Sequence, residues 1–249
     1  MNRFFIQNLT GDVDDTVDIR RIAHQLKHVL RLQAGDEVVL LDDQGNEYRT
    51  VIELLEKSGA VGRIISRDLA HGEPKVALTL YQCALKGDRM EWVLQKGTEL
   101  GVTAFVPVIS ERTIVRPASA IVRKYERWRT IIREAAEQSE RGRIPALLEP
   151  KTWQQAVQNS VEFVRLIPWE EAVDAPSISS IFANRTSDGL ADKSVGLMIG
   201  PEGGITADEI TGAREVGWQP VTLGARILRA ETATIASVTG VMISLGEMG

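Results

Sequence analysis

Leu197-Met-Ile-Gly-Pro-Glu-Gly-Gly-Ile-Thr206, followed after about one helix and one strand by Leu223-Gly-Ala-Arg-Ile-Leu-Arg-Ala-Glu-Thr-Ala233, decides the fold of this chain. Each half reads as a buried strand that runs into a glycine-rich turn and then into a helix. Turns of that kind at one edge of one sheet are where α/β proteins build ligand sites. In the first half, Val195 to Ile199 is an apolar run expected of a central strand buried on both faces. Gly200, Gly203 and Gly204 remove side chains where a ligand approaches the backbone, and Pro201 fixes the turn. Thr206-Ala-Asp-Glu209 is a capping box that starts a helix. The helix start favours an anion, but the charge of Glu202 opposes one, so a neutral or cationic ligand fits better. From this loop alone, a plain strand-to-helix turn whose glycines serve packing is an equally open reading.

Outward from there, Val221-Thr-Leu223 reads as a strand ending in Gly224, and Arg226 and Arg229 follow in a segment too short for a helix. Glu231 to Leu245 is then an apolar helix with small residues at Ala233, Ala236, Ser237 and Gly240. Small residues at that spacing admit a second helix closely, either within the chain or across a dimer interface.

The two quoted strings resemble the cofactor-binding motifs of the bacterial ribosomal RNA small-subunit methyltransferase E family, knotted methyltransferases of the SPOUT class. Lys86-Gly-Asp-Arg-Met-Glu-Trp92, Gln95-Lys-Gly-Thr-Glu-Leu-Gly101, Glu137-Gln-Ser-Glu-Arg141, His28-Val-Leu-Arg31 and Gly35-Asp36 extend the resemblance to essentially the whole chain. Ala225 stands where the family's pattern has Pro. The resemblance implies an α/β architecture: a C-terminal SPOUT domain with a mostly parallel sheet and a trefoil knot, preceded by a small PUA-like β-barrel. It implies domains at 1–72, binding RNA, and 73–249, carrying the methyltransferase site.

The implied activity is transfer of a methyl group from S-adenosylmethionine to the N3 imino nitrogen of one uridine in small-subunit (16S) ribosomal RNA. The implied cofactor-binding residues are Ile167 and Pro168; Met198, Ile199, Gly200, Pro201, Glu202, Gly203 and Gly204; and Leu223, Gly224, Ile227 and Leu228. Transfer from a sulfonium needs no metal, because the leaving group is already cationic; it needs positioning, a dry pocket and a deprotonated nucleophile. The uracil imino group is mostly protonated near neutral pH. Arg229 is therefore expected to stabilise negative charge on the uracil oxygens, with Glu231 or Thr232 orienting the base or Arg229 itself. A structural role for Arg229, bridging Glu231 and a loop carbonyl, is the competing reading. The resemblance also implies a homodimer packed partly through the final helix, with RNA contacting the barrel of one subunit and the cofactor site of the other.

Composition agrees with a soluble cytoplasmic enzyme. The 249 residues are 43% hydrophobic, enough for one or two cores. No apolar run approaches the roughly 20 residues of a membrane span, and the N-terminus lacks a signal peptide's apolar stretch. The single cysteine, Cys83, excludes an intrachain disulfide, and its setting in Val76 to Cys83 marks a buried structural thiol. His24, His28 and His71 are too few and badly spaced for a zinc centre.

Punctuation at Ala70-His-Gly-Glu-Pro74 marks the domain boundary. Before it, strands are expected at Arg3–Ile6, Glu37–Leu41, Tyr48–Leu54 and Ala60–Ile65, with one helix from about Ile19 to Leu32. After it, strands and helices alternate, as a parallel sheet requires. Asn184 to Lys193 is a polar surface loop.

The net charge of −5 conceals a basic stretch. From Arg112 to Arg143, nine Lys and Arg face four acids, while Ile121, Tyr125, Trp128, Ile132 and Ala135 supply an apolar face at helical spacing. A local patch binds phosphates whatever the total charge, and the flanking Arg112, Arg116, Arg141 and Arg143 are the RNA candidates. Lys86 joins them, and Arg20, Arg21, His24, His28 and Arg31 form a second basic patch. For both patches a solvated helix face is the bland alternative. Two other functions compete: a related knotted enzyme acting on a ribose hydroxyl or another base, and a non-catalytic RNA-binding assembly factor.

Overall fold

The computed structural model describes residues 1–56, 59–115, 117–172, 174–183 and 194–248. Arg116 and the polar Asn184–Lys193 segment lie outside the described residues. The chain divides into two compact units, Met1–Glu73 with Ala136–Ile144, and Pro74–Ala135 with Pro145–Gly249.

The first unit is a five-stranded sheet in the order β1-β3-β4-β5-β2: β1 (Arg3–Phe5), β2 (Thr16–Asp18), β3 (Glu37–Leu41), β4 (Asn46–Leu55) and β5 (Ala60–Leu69). Alternating burial along β4 and β5 puts Tyr48, Ile52 and Ile64 inside, beside Val38 and Leu40 of β3. Its helical segment departs from the regular α-helix expected at 19–32. A 3₁₀ turn at Arg20–Ile22 passes into a π-type turn at Gln25–Val29, where the Leu30 amide bonds to the Gln25 carbonyl at 3.0 Å. Arg31 then adopts φ 59° and ends the segment. The 136–144 stretch joins this unit through buried Arg141, whose guanidinium pairs with Glu73 at 3.1 Å, and through Arg143, which donates to the Gln44 carbonyl at 2.6 Å.

The second unit is a seven-stranded sheet in which every described pairing is parallel. Its order is β12-β10-β11-β6-β7-β8, with β9 also on β7: β6 (Leu78–Cys83), β7 (Ala104–Ile109), β8 (Ala146–Leu147), β9 (Lys151–Thr152), β10 (Val164–Pro168), β11 (Val195–Ile199) and β12 (Gln219–Val221). All five residues of β11 are buried, as a central strand covered on both faces must be. Helices α1 (Arg89–Glu99), α2 (Ala118–Val122), α3 (Tyr125–Gln138), α4 (Trp153–Gln158), α5 (Ile178–Ala183), α6 (Ala207–Glu215) and α7 (Ala230–Ser244) connect and cover the strands. The basic stretch thus forms two helices rather than one, yet Ile121, Tyr125, Trp128, Ile132 and Ala135 are all buried. α7 packs on α1 and α5, and a Cβ on Gly240 would lie 3.6 Å from Ile178, so part of its small-residue face serves a contact inside the chain.

Candidate active site

Three neighbouring strands, β12, β10 and β11, end at Val221, Pro168 and Ile199, and the loops that leave them enclose one cavity of about 310 Å³. That volume sits at the lower end of the roughly 300–1,000 Å³ typical of small-molecule sites. The position follows from topology, since ligands of open parallel sheets bind beyond the carboxyl ends of the strands.

The loop after β11 is held from several sides. Thr206 caps α6: its hydroxyl accepts from the Glu209 amide at 3.2 Å while the Glu209 carboxylate accepts from the Thr206 amide at 3.1 Å. Arg112 donates to the Gly203 carbonyl at 3.0 Å, and the Glu111 amide donates to Glu209 at 2.9 Å. Gly204 has φ +75°, and a Cβ there would run into the Glu170 carboxylate. Space expected for a ligand at these glycines is therefore taken partly by the protein: Ile205 crowds Gly200 and Arg112 crowds Gly203.

Glu202 turns back toward the start of α1. Its Oε1 accepts from the Lys86 amide at 3.1 Å and from Arg89 at 3.4 Å, and its side chain is 21% exposed. Arg89 Nε also lies 3.9 Å from Glu231 Oε1. The competing reading, Arg229 bridging Glu231 and a loop carbonyl, is not met among the described residues: Arg229 is exposed at the cavity wall and caps α7 through its backbone only. Glu231 keeps Oε2 buried without a hydrogen-bond partner.

Of the residues read as cofactor-binding, Pro168, Ile199, Gly200, Pro201, Glu202 and Gly204 line this cavity, as do Ile227 and Leu228. Leu223 and Gly224 line a smaller adjoining cavity of about 60 Å³. Ile167 and Met198 lie behind the wall as fully buried core, and Gly203 lies under Arg112. Thr232 is exposed and is not in the cavity lining. Sequence reasoning missed Arg89, Glu170, Ile205, Ala230 and Ala233, which the fold brings to the wall. Of these, Arg89 stands in the Lys86–Trp92 motif and Ile205, Ala230 and Ala233 in the two glycine-rich stretches, while Glu170 stands in none of them.

The candidate RNA residues separate. Arg20, Arg21, His24, His28 and Arg31 are all exposed on the first unit; Arg20 is paired with Asp18, and the rings of His24 and His28 lie 4.9 Å apart. Lys86 and Arg143 are exposed as well. Arg141, at 2% exposure and spent on Glu73, presents no guanidinium to solvent, and Arg112 is a brace on the glycine loop.

Residues 72–242 match the family described as RNA methyltransferase domain, and residues 21–65 match the RNA methyltransferase PUA domain. Ribosomal RNA small subunit methyltransferase E of Aquifex aeolicus is 32% identical over 221 residues, covering 88% of this chain and 91% of the relative. The chain belongs to the ribosomal RNA small subunit methyltransferase E family. The Bacillus subtilis member is 29% identical over 246 residues, 97% of this chain and 96% of its own length. Among solved structures, the methyltransferase E of Neisseria gonorrhoeae bound to S-adenosyl methionine superposes with a TM-score of 0.85 at 35% identity, covering 98% of this chain and 97% of that one. A Legionella pneumophila protein with the cofactor SAM bound gives 0.83 at 30%, covering 97% of each. Membership makes the first unit a PUA domain and the chain an RNA methyltransferase. Among the described residues no helix is long and apolar enough to cross a membrane, and no cluster of His, Cys, Asp and Glu could hold a metal.

Proposed function

We propose that the protein transfers the methyl group of S-adenosylmethionine to N3 of a uridine in small-subunit ribosomal RNA, acting as a cytoplasmic homodimer. The observation that carries this is the cavity of about 310 Å³ at the carboxyl ends of β10, β11 and β12 in a chain of this family. Its lining suits the cofactor: Glu170 and Glu202 offer carboxylates to cationic groups, while Pro168, Ile199, Ile205 and Leu228 offer apolar surface to a flat base. When bound there, the cofactor supplies an electrophilic methyl on a cationic sulfur.

The chain's own residues do the rest. Arg229, exposed at the wall and without a side-chain partner among the described residues, stabilises negative charge on the uracil oxygens as the N3 proton passes to solvent. Glu231, 3.9 Å from Arg89 and with one buried oxygen unmatched among the described residues, or Thr232 beside it in the chain, orients the base or Arg229 itself. Glu202, anchored on α1, helps to fix the cofactor. The exposed Arg20, Arg21, His24, His28 and Arg31 of the first unit, with Lys86 and Arg143, contact RNA phosphates. Exposed Ala236 and Ile243 on α7 give an apolar strip for the second subunit. The placement of β12 beside β10, on the far side from β11, supports the threaded C-terminal path that the resemblance implies. Unmodified small subunits incubated with the protein and isotopically labelled cofactor should yield labelled 3-methyluridine on nucleoside mass spectrometry. Label in another nucleoside would overturn the assignment.

A further inference from the structure

A second, more open cavity of about 570 Å³ adjoins the first. It is lined by Lys86, Gly87, Asp88, Arg89, Ile114 and Glu202. Arg89 and Glu202 line both cavities, so one ion pair, 3.4 Å between Nη1 and Oε1, forms the partition between them. The partition is held from behind: the Lys86 amide donates to the same Glu202 oxygen at 3.1 Å, and Arg89 Nε lies 3.9 Å from Glu231.

The chemistry of the second cavity differs from that of the first. Its cations are Lys86, whose ammonium has no partner among the described residues, and the exposed Arg89. Its apolar surface is Ile114, 59% exposed. Gly87, at φ +60° with open space where a Cβ would stand, bares the backbone between them. Asp88 adds a carboxylate that accepts from a hydroxyl or a ring N–H. An aliphatic surface for a flat base, two cations for phosphate and an acceptor for ribose or base edge describe one nucleotide of an RNA strand taken out of its stack. Such a nucleotide sits one side chain away from the cofactor cavity.

We propose that this cavity seats the phosphate, ribose and base face of the uridine nucleotide to be methylated, its N3 edge reaching past the Arg89–Glu202 pair into the first cavity toward Arg229, so that Arg89 touches both the nucleotide and the cofactor side of the site. This rests on the proposed function above and adds to it the place and the residues that receive the substrate. Lys86 and Arg89 hold the flanking phosphate, Ile114 packs on the base, and the Arg89–Glu202 pair couples occupancy of one cavity to the geometry of the other.

Three measurements test it on the whole chain: cofactor affinity by calorimetry, methyl transfer to unmodified small subunits at varied subunit concentration, and cross-linking to an RNA fragment. Ile114→Asp and Lys86→Ala, both surface changes whose folding is checked by thermal melting, should each lower kcat/KM for subunits at least fivefold. Both should leave the cofactor Kd within twofold. Arg89→Ala should weaken both. Values of kcat/KM within twofold of wild type for Ile114→Asp and Lys86→Ala would overturn the assignment of the cavity. A small-subunit RNA fragment carrying 4-thiouridine at the methylated position should cross-link to peptides containing residues 86–89 or 114; cross-links confined elsewhere in an active enzyme would also overturn it. A wild-type chain that binds cofactor but methylates no ribosomal RNA would overturn the function on which it rests, an outcome distinct from the other two.

Discussion

Thr234 in α7 and Gln82 in β6 are both fully buried, and the threonine hydroxyl stands 2.7 Å from the glutamine Oε1. This contact fixes the first turns of α7, and with them Arg229 and Glu231, to the centre of the parallel sheet. The hydroxyl hydrogen has two acceptors within reach, the other being the Ala230 carbonyl at 2.9 Å. Gln82 in turn donates from Nε2 to the Cys83 carbonyl at 3.0 Å.

Thr234→Val keeps the shape and removes the donor, leaving Gln82 Oε1 buried without its partner. The cost of such an orphaned acceptor is about 1–3 kcal/mol. For a chain of this size that corresponds to a melting temperature lower by roughly 2–4 °C per kcal/mol. Calorimetric melting should show that loss, and a variant melting with the wild type would show that the pair does not anchor α7.

Much of this site is legible in the sequence because its signals are local. The capping box at Thr206 and Glu209, the buried run Val195–Ile199 and the apolar helix beginning at Ala230 each depend on neighbours a few residues away. What sequence reading missed depends on distant partners. β2 is three residues long and exists by pairing with β5, so no period announces it. The last strand lies at Gln219–Val221 rather than Val221–Leu223; Pro220, which lacks an amide donor, is tolerated because β12 is the sheet edge. Arg141 reads as a surface cation until Glu73 is brought beside it, and Arg89 and Glu170 reach the cavity wall only through the fold.

The thiol of Cys83 is fully buried, and that burial pushes it up to about 12. A thiol so placed remains protonated and out of reach at pH 8, where an exposed cysteine reacts readily. Titration of the native protein with a disulfide reagent at that pH should show less than a tenth of one thiol over minutes, and one full equivalent after denaturation. Because the folded value lies above the ordinary one of 9.0, the folded state holds the proton more tightly. This contribution to stability is therefore complete below pH 9 and is lost as the pH rises toward 12.

Glu91 on α1 and Arg127 on α3 form two hydrogen bonds of 2.7 and 2.6 Å. The Arg127 guanidinium holds the Glu91 carboxyl below its ordinary 4.5. A lowered carboxylate value means that the pair stabilises the fold above pH 4.5 and that this contribution disappears as the pH falls through the folded value. With Arg127 70% exposed, solvent screening keeps the effect small. Glu91→Gln should narrow the gap between melting temperatures at pH 7 and pH 3, and an unchanged gap would remove the pair from the acid response.

Arg229 and Arg112 separate chemistry from scaffolding within one loop cluster. Arg229 has no side-chain partner among the described residues, so Arg229→Ala should leave the melting temperature within about a degree and the cofactor Kd within threefold. It should lower kcat with saturating subunits by about 10²- to 10³-fold, the scale seen when one charge-stabilising donor is removed. Arg112 acts differently, because its guanidinium bonds the Gly203 carbonyl and its stem packs against that glycine. Arg112→Ala releases the Glu202-Gly203-Gly204 turn, so cofactor affinity should fall about tenfold while kcat at saturating cofactor changes far less. If Arg112→Ala instead raised KM for subunits with cofactor affinity unchanged, its guanidinium would be an RNA contact and not a brace. If Arg229→Ala kept full turnover, the charge on the uracil oxygens would have to be met by another group, and Arg89, which shares the cavity wall, is the cation placed to meet it.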